Sequence, residues 1–507
     1  MLFADPDLVA AEAIAKMAAG SPFSFGRVEL EQLALGDRAA ADSRPLWSYR
    51  NAQEGEARNN VDLVGELCSR LATVAREKIT RGETASDQQL RLYEDLALYH
   101  LYEKHRQSFD ELAVQVEESP SDHVDAPQWD AFLEDHVAWL RPNGRTLSRA
   151  YDPALLFAFF FQVRRAFRGI FAGFIGTSSS AGRLREAAWE SIFSHDLHVY
   201  LLGLHDRMSD FATLITGESG TGKEIVAGTI GRSGFVAFDT ARRRFSSAFA
   251  DAFTPVNLAA LSPTLVESEL FGHKKGSFTG ATTDRVGYFE SCTKHGAVFL
   301  DEIGEIGEDL QVKLLRLLQD RRLSRIGEQR PRRFAGKVIA ATNRNLENAI
   351  SEGGFRADLY YRLCGDVIRT PSLREQFADA PTDLDDMVEF VVRRLLPGRP
   401  VAACAISERC AKQIRDTLGD GYHWPGNFRE LEQCVRNLIL RGRYNSIGSD
   451  IGDTLAEALR DVRCTADELL SAQCRAAYAR LGTYQAVAAE LGIDRRTVRA
   501  KMEVPAK

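Results

Sequence analysis

The feature that most limits the fold of this chain is the segment TLITGESGTGKE at residues 213–224. A short apolar run ends in a glycine-rich loop of the pattern GxxxxGK, and a helical pattern follows directly. Gly217, Gly220 and Gly222 let backbone N–H groups surround a phosphate, while Lys223 supplies a positive charge toward the terminal phosphates. A strand that runs through such a loop into a helix is typical of a parallel sheet covered by helices. The segment therefore predicts a nucleotide-binding α/β domain.

A second apolar run, GAVFLDEIGEI, ends in two adjacent carboxylates. Asp301 at the strand end can hold Mg²⁺, directly or through water, and Glu302 can orient or deprotonate the attacking water. Without the phosphate loop, the same run would indicate only a strand that ends in a solvated acidic loop. With both present in this order, the pattern predicts ATP hydrolysis. The run KVIAATNRNL predicts a third strand, and Asn343 at its end is placed to sense the terminal phosphate.

Glu224 follows the lysine at the position where a Ser or Thr normally contributes to magnesium binding. The sequence GESGTGKE nevertheless resembles the phosphate loop of the AAA+ ATPase module in bacterial sigma-54-dependent transcriptional activators, a family that carries this glutamate. The resemblance extends over roughly residues 187–442 and implies an ATPase core with a small helical lid, using ATP and Mg²⁺. The nucleotide-binding residues that it implies here are Gly217, Glu218, Ser219, Gly220, Thr221, Gly222, Lys223 and Glu224.

Three further segments resemble functional elements of the same family. FRADLYYRL is similar to its trans-acting arginine segment, which implies that Arg356 and Arg362 reach the γ-phosphate of a neighbouring subunit in a ring, by resemblance a hexamer. Without the resemblance, the two arginines would indicate a surface ion-pair cluster. WPGNFRELEQCVRN resembles the lid signature, with Arg429 as a nucleotide sensor. VNLAAL resembles the segment in which Asn257 couples Glu302 to the phosphate.

The stretch ELFGHKKGSFTGA places a phenylalanine between two glycines, an arrangement that calls for a partner. The family carries GAFTGA here, a loop that projects from the ATPase ring and touches sigma-54 in the closed promoter complex. The resemblance implies that the sigma-54 contact consists of Gly276, Ser277, Phe278, Thr279, Gly280 and Ala281. Ser277 replaces the family's alanine, and we expect its hydroxyl to face solvent and the Phe278 ring to be exposed.

The last segment, TYQAVAAELGIDRRTVRAKM, has the spacing of helix, glycine-containing turn and helix, with Gly492 at the turn. The polar and basic residues of the second helix suit a major groove and its flanking phosphates: Arg495, Arg496, Thr497, Arg499 and Lys501. The segment resembles the Fis-type helix-turn-helix that closes many sigma-54 activators, where paired units read palindromic enhancer DNA. A small three-helix bundle without a function is the alternative.

The amino-terminal 184 residues show helical periodicity and no catalytic pattern. A phosphoacceptor receiver would need alternating strands and helices, so we expect a regulatory domain that senses an unknown small molecule or protein. The apolar run at 154–176 is interrupted by three arginines, and we expect a buried helix there in place of a membrane span. The polar stretch GTSSSAG is the expected linker to the ATPase. The stretch 231–252 looks longer than the usual connector after the phosphate-loop helix, and its sequence indicates no role.

The bulk properties agree with a protein of the cytoplasm. The amino terminus lacks the basic start of a secretory signal, and the eight cysteines include no CxxC pair or metal-ligand spacing. A net charge of -7 excludes a chain that binds nucleic acid over its whole surface, although a local basic element is compatible with it.

Together these patterns predict a multidomain α/β protein whose segments follow each other in a fixed order. They are a helical regulatory domain at 1–184, an AAA+ parallel-sheet ATPase core at 185–371, a helical lid at 372–442, a linker at 443–462 and a helix-turn-helix domain at 463–507. The predicted function is ATP-driven remodelling of sigma-54 RNA polymerase by an activator bound to enhancer DNA. An AAA+ unfoldase would lack the sigma-54 loop and the helix-turn-helix. A nucleotide-binding, DNA-binding repressor that has lost sigma-54 contact stays open as the alternative.

Overall fold

The computed structural model describes most of the chain and shows two compact units, Met1–Glu432 and Gln433–Lys507. The described residues are 1–39, 60–119, 124–144, 147, 149, 151–250, 252–260, 262–419, 421–444 and 466–502. Most of the predicted linker at 443–462 lies outside these residues.

Helices build the amino-terminal part of the first unit. They are α1 (Asp7–Ala19), α2 (Arg27–Leu35), α3 (Asn60–Thr80), α4 (Asp87–Glu118), α5 (Trp129–Leu140), α6 (Pro153–Gly173), α7 (Ser179–Phe193) and the short α8 (Leu197–Val199). Short 3-10 or π turns lie at Gly36–Arg38, Pro142–Gly144, Tyr200–Leu204 and Met208–Asp210.

Helix α6 is the apolar run that was expected to be a buried helix, and the structure confirms this. Its start is well defined, because the Asp152 side chain accepts a hydrogen bond from the Leu155 N–H at 3.0 Å and Pro153 occupies the first turn. Phe157, Phe160 and neighbouring side chains of α6 are buried. None of the described helices is long and apolar enough to cross a membrane.

A five-stranded parallel sheet follows. Its strands are β1 (Thr213–Thr216), β4 (Phe253–Asn257), β7 (Ala297–Asp301), β10 (Lys337–Thr342) and β11 (Asp366–Arg369). They lie side by side in the order β11-β1-β10-β7-β4. Short antiparallel pairs are formed by β2 (Phe238–Asp239) with β3 (Arg244–Phe245), β5 (Gly272–His273) with β6 (Arg285–Val286), and β8 (Arg322–Leu323) with β9 (Arg332–Arg333). All six residues of β10 are buried, as expected for the central strand of a sheet covered on both faces.

Helices surround this sheet and continue after it. They are α9 (Lys223–Arg232), α10 (Pro263–Phe271), α11 (Tyr288–Ser291), α12 (Glu308–Asp320), α13 (Leu346–Ser351), α14 (Ala357–Leu363), α15 (Leu373–Asp379), α16 (Asp383–Leu395), α17 (Pro400–Leu418) and α18 (Asn427–Arg441), with a 3-10 turn at Ile303–Glu305. The predicted α/β fold class, with a helical amino-terminal part and a parallel sheet covered by helices, is confirmed.

The stretch 231–252, which the sequence left without a role, packs into the core of the amino-terminal helices. Its β2–β3 hairpin inserts aromatic rings: the Phe238 ring centroid lies 4.6 Å from that of Phe157, and the Phe245 ring centroid lies 4.4 Å from that of Phe161. A backbone hydrogen bond adds to this packing, because the Phe245 N–H donates to the Val124 carbonyl at 3.3 Å. The hairpin therefore attaches the helical part of the unit to the sheet.

Helix α6 also contacts α9, the helix that follows the phosphate loop. A Cβ added to Gly173 would lie 2.7 Å from Cγ2 of Ile225, so glycine permits this close approach. Gln162 Nε2 donates to the carbonyl of Ser233 at 2.8 Å, just beyond the end of α9. The amino-terminal helices thus touch the helix that supports the nucleotide loop.

The expected linker GTSSSAG is held by hydrogen bonds in this structure. Backbone N–H groups of Thr177 and Ser178 donate to the Asp383 carboxylate at 2.6 and 3.1 Å, and the Ser178 hydroxyl caps α7. Asp383 begins α16 and is fully buried. The segment therefore connects the start of α7 to the helices after the sheet.

The second unit contains a small helical bundle. Its helices are α19 (Ala466–Leu481), α20 (Tyr484–Leu491) and α21 (Arg495–Met502). Cys474, Val487 and Val498 are fully buried and form its centre. Gly492 ends α20 with a φ of 64°, the left-handed conformation that suits the turn between the last two helices.

Candidate functional site

The phosphate loop connects β1 to the first turn of α9. Gly217, Gly220 and Gly222 have φ angles of 152°, 79° and 87°, which side chains rarely tolerate. A side chain at Gly217 would clash with the Thr370 hydroxyl, and one at Gly220 would clash with the Gly426 carbonyl. The predicted loop glycines are therefore needed both for backbone conformation and for close approach of neighbouring segments.

Lys223 begins α9 and is buried. Its Nζ donates to the carbonyl oxygens of Gly217 at 2.9 Å and Glu218 at 3.0 Å. Burial lowers the pKa of Lys223, while the carboxylates of Glu302 and Asp301 act in the opposite direction. The lysine and the acidic pair are thus close enough to influence each other, as an ATP site requires.

The acidic pair lies at the carboxyl end of β7, and Asp301 is in register with Asn257 on β4. Glu302 has a left-handed backbone with a φ of 56°, and its N–H donates to Asp301 Oδ1 at 3.0 Å. Such conformations in non-glycine residues are uncommon and cluster at functional sites. Asn257 Oδ1 accepts hydrogen bonds from the N–H groups of Ala259 and Ala260 at 3.0 and 3.1 Å. Its coupling to Glu302 stays a prediction.

Asn343 follows β10, the strand between β1 and β7, and it is exposed. Because the carboxyl ends of parallel strands share one edge, the phosphate loop, Asn343 and the acidic pair follow one another along that edge. The next residue, Arg344, forms an ion pair with Glu305 at 2.6 Å. This ion pair links the loop after β10 to the loop after β7.

Two residues of the lid signature contact the phosphate loop directly. Arg429 Nη1 donates to Ser219 Oγ at 3.2 Å. Asn427 Nδ2 donates to Glu218 Oε2 at 3.1 Å and to the Ser219 carbonyl at 3.0 Å. Arg429 therefore lies where a nucleotide sensor would have to lie, beside the residues that surround the phosphates.

Three residues of this region were not predicted from the sequence. Asn427 lies within the WPGNFRE signature, which could have indicated it. The other two are Thr370 and Arg374, and no sequence pattern marks them. The Thr370 hydroxyl lies 2.7 Å from that of Thr221, and Arg374 forms an ion pair with Glu218 at 3.2 Å.

Glu224 is exposed in the first turn of α9, where the positive end of the helix dipole stabilises a carboxylate.

The two predicted trans-acting arginines lie apart from these contacts. Arg356 forms an ion pair with Asp358 at 2.8 Å, and its backbone N–H donates to Gln311 Oε1 at 2.8 Å. Arg362 lies on α14 and is exposed, with no ion-pair partner among the described residues. No described contact joins either arginine to the phosphate loop of its own chain.

The predicted sigma-54 loop is a compact turn in which Gly276 and Gly280 have φ angles of 80° and 100°. The Gly276 N–H donates to the Ala281 carbonyl at 2.8 Å, which closes the loop at its base. Thr279 is exposed, as expected for a contact residue, whereas Ala281 is buried. The Phe278 ring is half-buried, with its centroid 5.0 Å from that of His273. The expectation of an exposed Phe278 is therefore wrong for this conformation.

Ser277 also differs from expectation. Its hydroxyl oxygen is buried and has no hydrogen-bond partner among the described residues, so it does not face solvent. The residue packs against the neighbouring loop, where a Cβ added to Gly327 would lie 2.7 Å from the Ser277 Cβ. The sequence could not show this, because the loop around Gly327 comes from a different part of the chain.

In the second unit, the residues expected to contact DNA lie on α21 or at its start. Arg495 and Arg496 are exposed, and the Arg496 N–H is bound by the Asp494 side chain at 2.7 Å. Thr497 is half-buried beside the buried Val498, and Arg499 is exposed. Lys501 forms an ion pair with Asp467 of α19 at 2.5 Å. In this conformation the Lys501 ammonium is thus engaged within the bundle.

The chemistry at the carboxyl edge of the sheet suits a nucleotide with a divalent cation. Carboxylate oxygens such as those of Asp301 are the ligands that Mg²⁺ prefers. Lys223 and Arg429 supply positive charge for phosphate oxygens, and the glycine loop leads into the amino-terminal end of α9. The residues present therefore fit ATP and Mg²⁺.

Comparison with known proteins finds similar sequences for part of the chain. Residues 204–369 match the model of the family described as the sigma-54 interaction domain. The chain is 40% identical over 292 residues to the Nif-specific regulatory protein of Azotobacter vinelandii, covering 55% of this chain and 51% of that protein. It is 43% identical over 232 residues to the hydrogenase transcriptional regulatory protein HoxA of Bradyrhizobium diazoefficiens, covering 46% of this chain and 43% of that protein. The chain thus spans about half the length of these curated relatives.

Among solved structures, NtrX from Brucella abortus aligns with 73% of this chain and 79% of its own, at 24% sequence identity and a TM-score of 0.39. A TM-score this low does not establish a shared fold. Over residues 204–369, the chain is similar to the sigma-54 interaction domain.

Proposed function

We propose that the protein is an ATP-hydrolysing transcriptional activator that binds enhancer DNA and remodels sigma-54 RNA polymerase in the cytoplasm. One observation carries this proposal. The phosphate loop, Asn343 and the acidic pair lie along the same edge of the sheet, and Arg429 of the lid lies beside the loop. These are the parts that phosphoryl transfer needs for binding and for water activation.

In the ATPase reaction, each group at the edge has a separate task. Lys223 moves from its carbonyl partners to the terminal phosphates, where its charge offsets the charge that develops in the transition state. Asp301 would hold Mg²⁺, and the bound ion would supply electrostatic stabilisation of the phosphates. Glu302 accepts a proton from the attacking water or orients it. Asn343 and Arg429 respond to the γ-phosphate and to the closure of the lid.

We infer that Arg356 and Arg362 act on the nucleotide of a neighbouring subunit. Arg362 is exposed and lacks an ion-pair partner among the described residues, and Arg356 is held at the start of α14 by Asp358. A free guanidinium at the surface is suited to stabilise a phosphate presented by another chain. This arrangement supports a ring assembly, which by resemblance is a hexamer.

The loop from Gly276 to Ala281 is the proposed contact with sigma-54, and the α21 surface is the proposed contact with DNA. Phe278 lies against His273 in this structure, so contact with sigma-54 requires the ring to leave that position. Thr279 is already exposed. Arg495, Arg496 and Arg499 present positive charge on or beside one helix, which suits phosphates that flank a major groove. The amino-terminal helices have the regulatory role in this proposal.

Replacement of Glu302 by Gln tests the central chemistry. The Glu302→Gln protein should bind ATP with nearly unchanged affinity but lose turnover by about 10²–10⁴-fold, because only water activation is removed. Lys223→Ala should instead weaken binding itself. The measurements are ATP affinity, ATPase rate and open-complex formation at a sigma-54 promoter. Equal turnover by wild type and Glu302→Gln would overturn the assignment, and DNA binding without promoter opening by the wild type would favour a repressor.

A further inference from the structure

A cavity of about 410 Å³ lies at the edge of the sheet opposite the nucleotide site. It opens beside Gly296 and Lys337, which precede or begin strands β7 and β10, whereas the phosphate loop and the acidic pair follow the other ends of their strands. The amino-terminal helices contribute Gln162 and Ser191, and the stretch after α9 contributes Phe235. The volume falls within the range of small-molecule sites in proteins.

Lys337 is an unusual residue in the wall of this cavity. Its side chain is buried, and within the described residues its Nζ makes two long hydrogen bonds, to the carbonyl oxygens of Ser191 and Met208 at 3.5 Å each. No carboxylate in the described part of the chain lies within ion-pair distance of it. Burial lowers the pKa of Lys337 to about 8. The Asp366 carboxylate, in contrast, favours the charged form of Lys337 through its electrostatic attraction. A buried ammonium with two long contacts and three protons to donate is costly unless a further partner is supplied.

The wall contains a second buried polar group, on His205. The Nδ1 atom of His205 is buried and makes no hydrogen bond within the described residues. The imidazole is fixed by edge-to-face packing, with its centroid 4.9 Å from that of Phe235. Around these polar groups, Ile192, Phe235 and Val236 give the wall an apolar part. A few convergent polar groups in a mainly apolar concavity are the usual features of a ligand site.

We propose that this cavity binds a small organic anion, whose carboxylate or phosphate group pairs with Lys337 while its apolar part lies against Phe235 and Ile192. His205 contributes a hydrogen bond through Nδ1. An anion satisfies the two groups that the protein itself leaves without good partners. This binding site goes beyond the proposed ATP-dependent activity and does not depend on it.

The position of the cavity connects its occupancy to the nucleotide loop. Tyr200 Oη donates to Gln162 Oε1 at 2.6 Å, and Gln162 Nε2 donates to the Ser233 carbonyl at 2.8 Å. Ser233 follows the last residue of α9, the helix whose first residue is Lys223. A bound anion therefore lies beside a hydrogen-bonded chain that lines the same cavity and joins the amino-terminal helices to the helix after the phosphate loop.

The experiment uses the full chain and two probes, 4-methylpentanoate for the carboxylate arm and inorganic phosphate for the phosphate arm. Each is titrated at pH 7 against chloride of equal ionic strength, with binding followed by calorimetry and by the thermal unfolding midpoint. We expect at least one probe to bind wild type and raise its midpoint, and Lys337→Met to weaken that binding at least tenfold. The difference between the arms identifies the head group.

Lys313→Met is the matched control, because Lys313 is an exposed lysine paired with Glu267 outside the cavity, and it should bind the probe as wild type does. ATP binding by Lys337→Met verifies that the variant is folded. If it does not fold, His205→Leu replaces it and should weaken binding of the same probe. The proposal is overturned if neither probe binds the wild type, or if the cavity variants bind it as tightly as wild type.

Discussion

At the scale of single residues, the hydroxyl of Ser277 is a buried polar atom without a hydrogen-bond partner among the described residues. An unsatisfied polar atom of this kind destabilises the conformation that buries it, by about 1–3 kcal/mol. With Ser277, the packed form of the proposed sigma-54 loop is therefore less stable than it would be with alanine at this position. Under the proposed function, Ser277 makes the loop easier to release.

Ser277→Ala should stabilise the packed loop by about 1 kcal/mol, because it removes the unsatisfied hydroxyl and leaves the Cβ contact. Hydrogen exchange of the Gly276 N–H, which donates to the Ala281 carbonyl, should then slow by roughly fivefold. Thr279→Ala is the control, because Thr279 is exposed and its removal should leave this exchange rate unchanged. Faster exchange in Ser277→Ala would show that the hydroxyl stabilises the loop.

The residues of the nucleotide site were predictable where they depend on strand ends. Lys223, Asp301 and Asn343 each follow or end a short apolar run, and parallel strands bring such positions to one edge. The contacts of Ser277 and Asn427 were not predictable in the same way. They depend on which distant loop packs against each residue, and neither periodicity nor spacing within the chain contains that information.

At the scale of elements, the β2–β3 hairpin is part of the core that the amino-terminal helices form. Phe245 is fully buried, and its ring centroid lies 4.4 to 5.6 Å from those of Phe161, Phe238 and Phe249. The sequence did not indicate a role for the stretch, because its ring partners Phe157 and Phe161 lie about 80 residues earlier in the chain. A short hairpin acquires its stability from such packing.

Phe245→Ala should destabilise the first unit by about 3–5 kcal/mol, since it removes a fully buried aromatic ring and leaves a cavity. Phe211→Ala is the matched control, because Phe211 is 43% exposed and its removal should cost much less. The midpoint of guanidinium unfolding, followed by tryptophan fluorescence, measures the difference. Equal midpoints for the two variants would mean that the hairpin does not contribute to the core.

At the scale of the whole molecule, the proposed site is incomplete within one chain. The phosphate loop, the acidic pair and Arg429 belong to one subunit, while Arg356 and Arg362 have no described contact with that loop. If the arginines act in trans, ATPase activity per subunit should rise with protein concentration. The sequence supports this only through family resemblance, because an interface between copies leaves no spacing pattern within a chain.

Mixing an Arg362→Ala protein with an Asp301→Ala protein tests the assembly. Each variant alone should be nearly inactive, and the mixture should recover part of the ATPase activity because some interfaces then combine an intact acidic pair with an intact arginine. Mass measurement of the mixture is the control for co-assembly. Co-assembled mixtures without any recovery at any ratio would place the arginines in another role.

The proposed function requires the loop around Phe278 to couple ATP hydrolysis to sigma-54. Burial of one phenylalanine against a partner contributes roughly 1.5–3 kcal/mol, enough to decide a transient contact. The most direct measurement is sigma-54 binding in the presence of a transition-state analogue of ATP, made in parallel with the ATPase rate and open-complex formation. We predict that Phe278→Ala hydrolyses ATP at most of the wild-type rate, yet neither binds sigma-54 nor opens the promoter. Binding and promoter opening at wild-type levels by Phe278→Ala would show that Phe278 is not needed for contact with sigma-54.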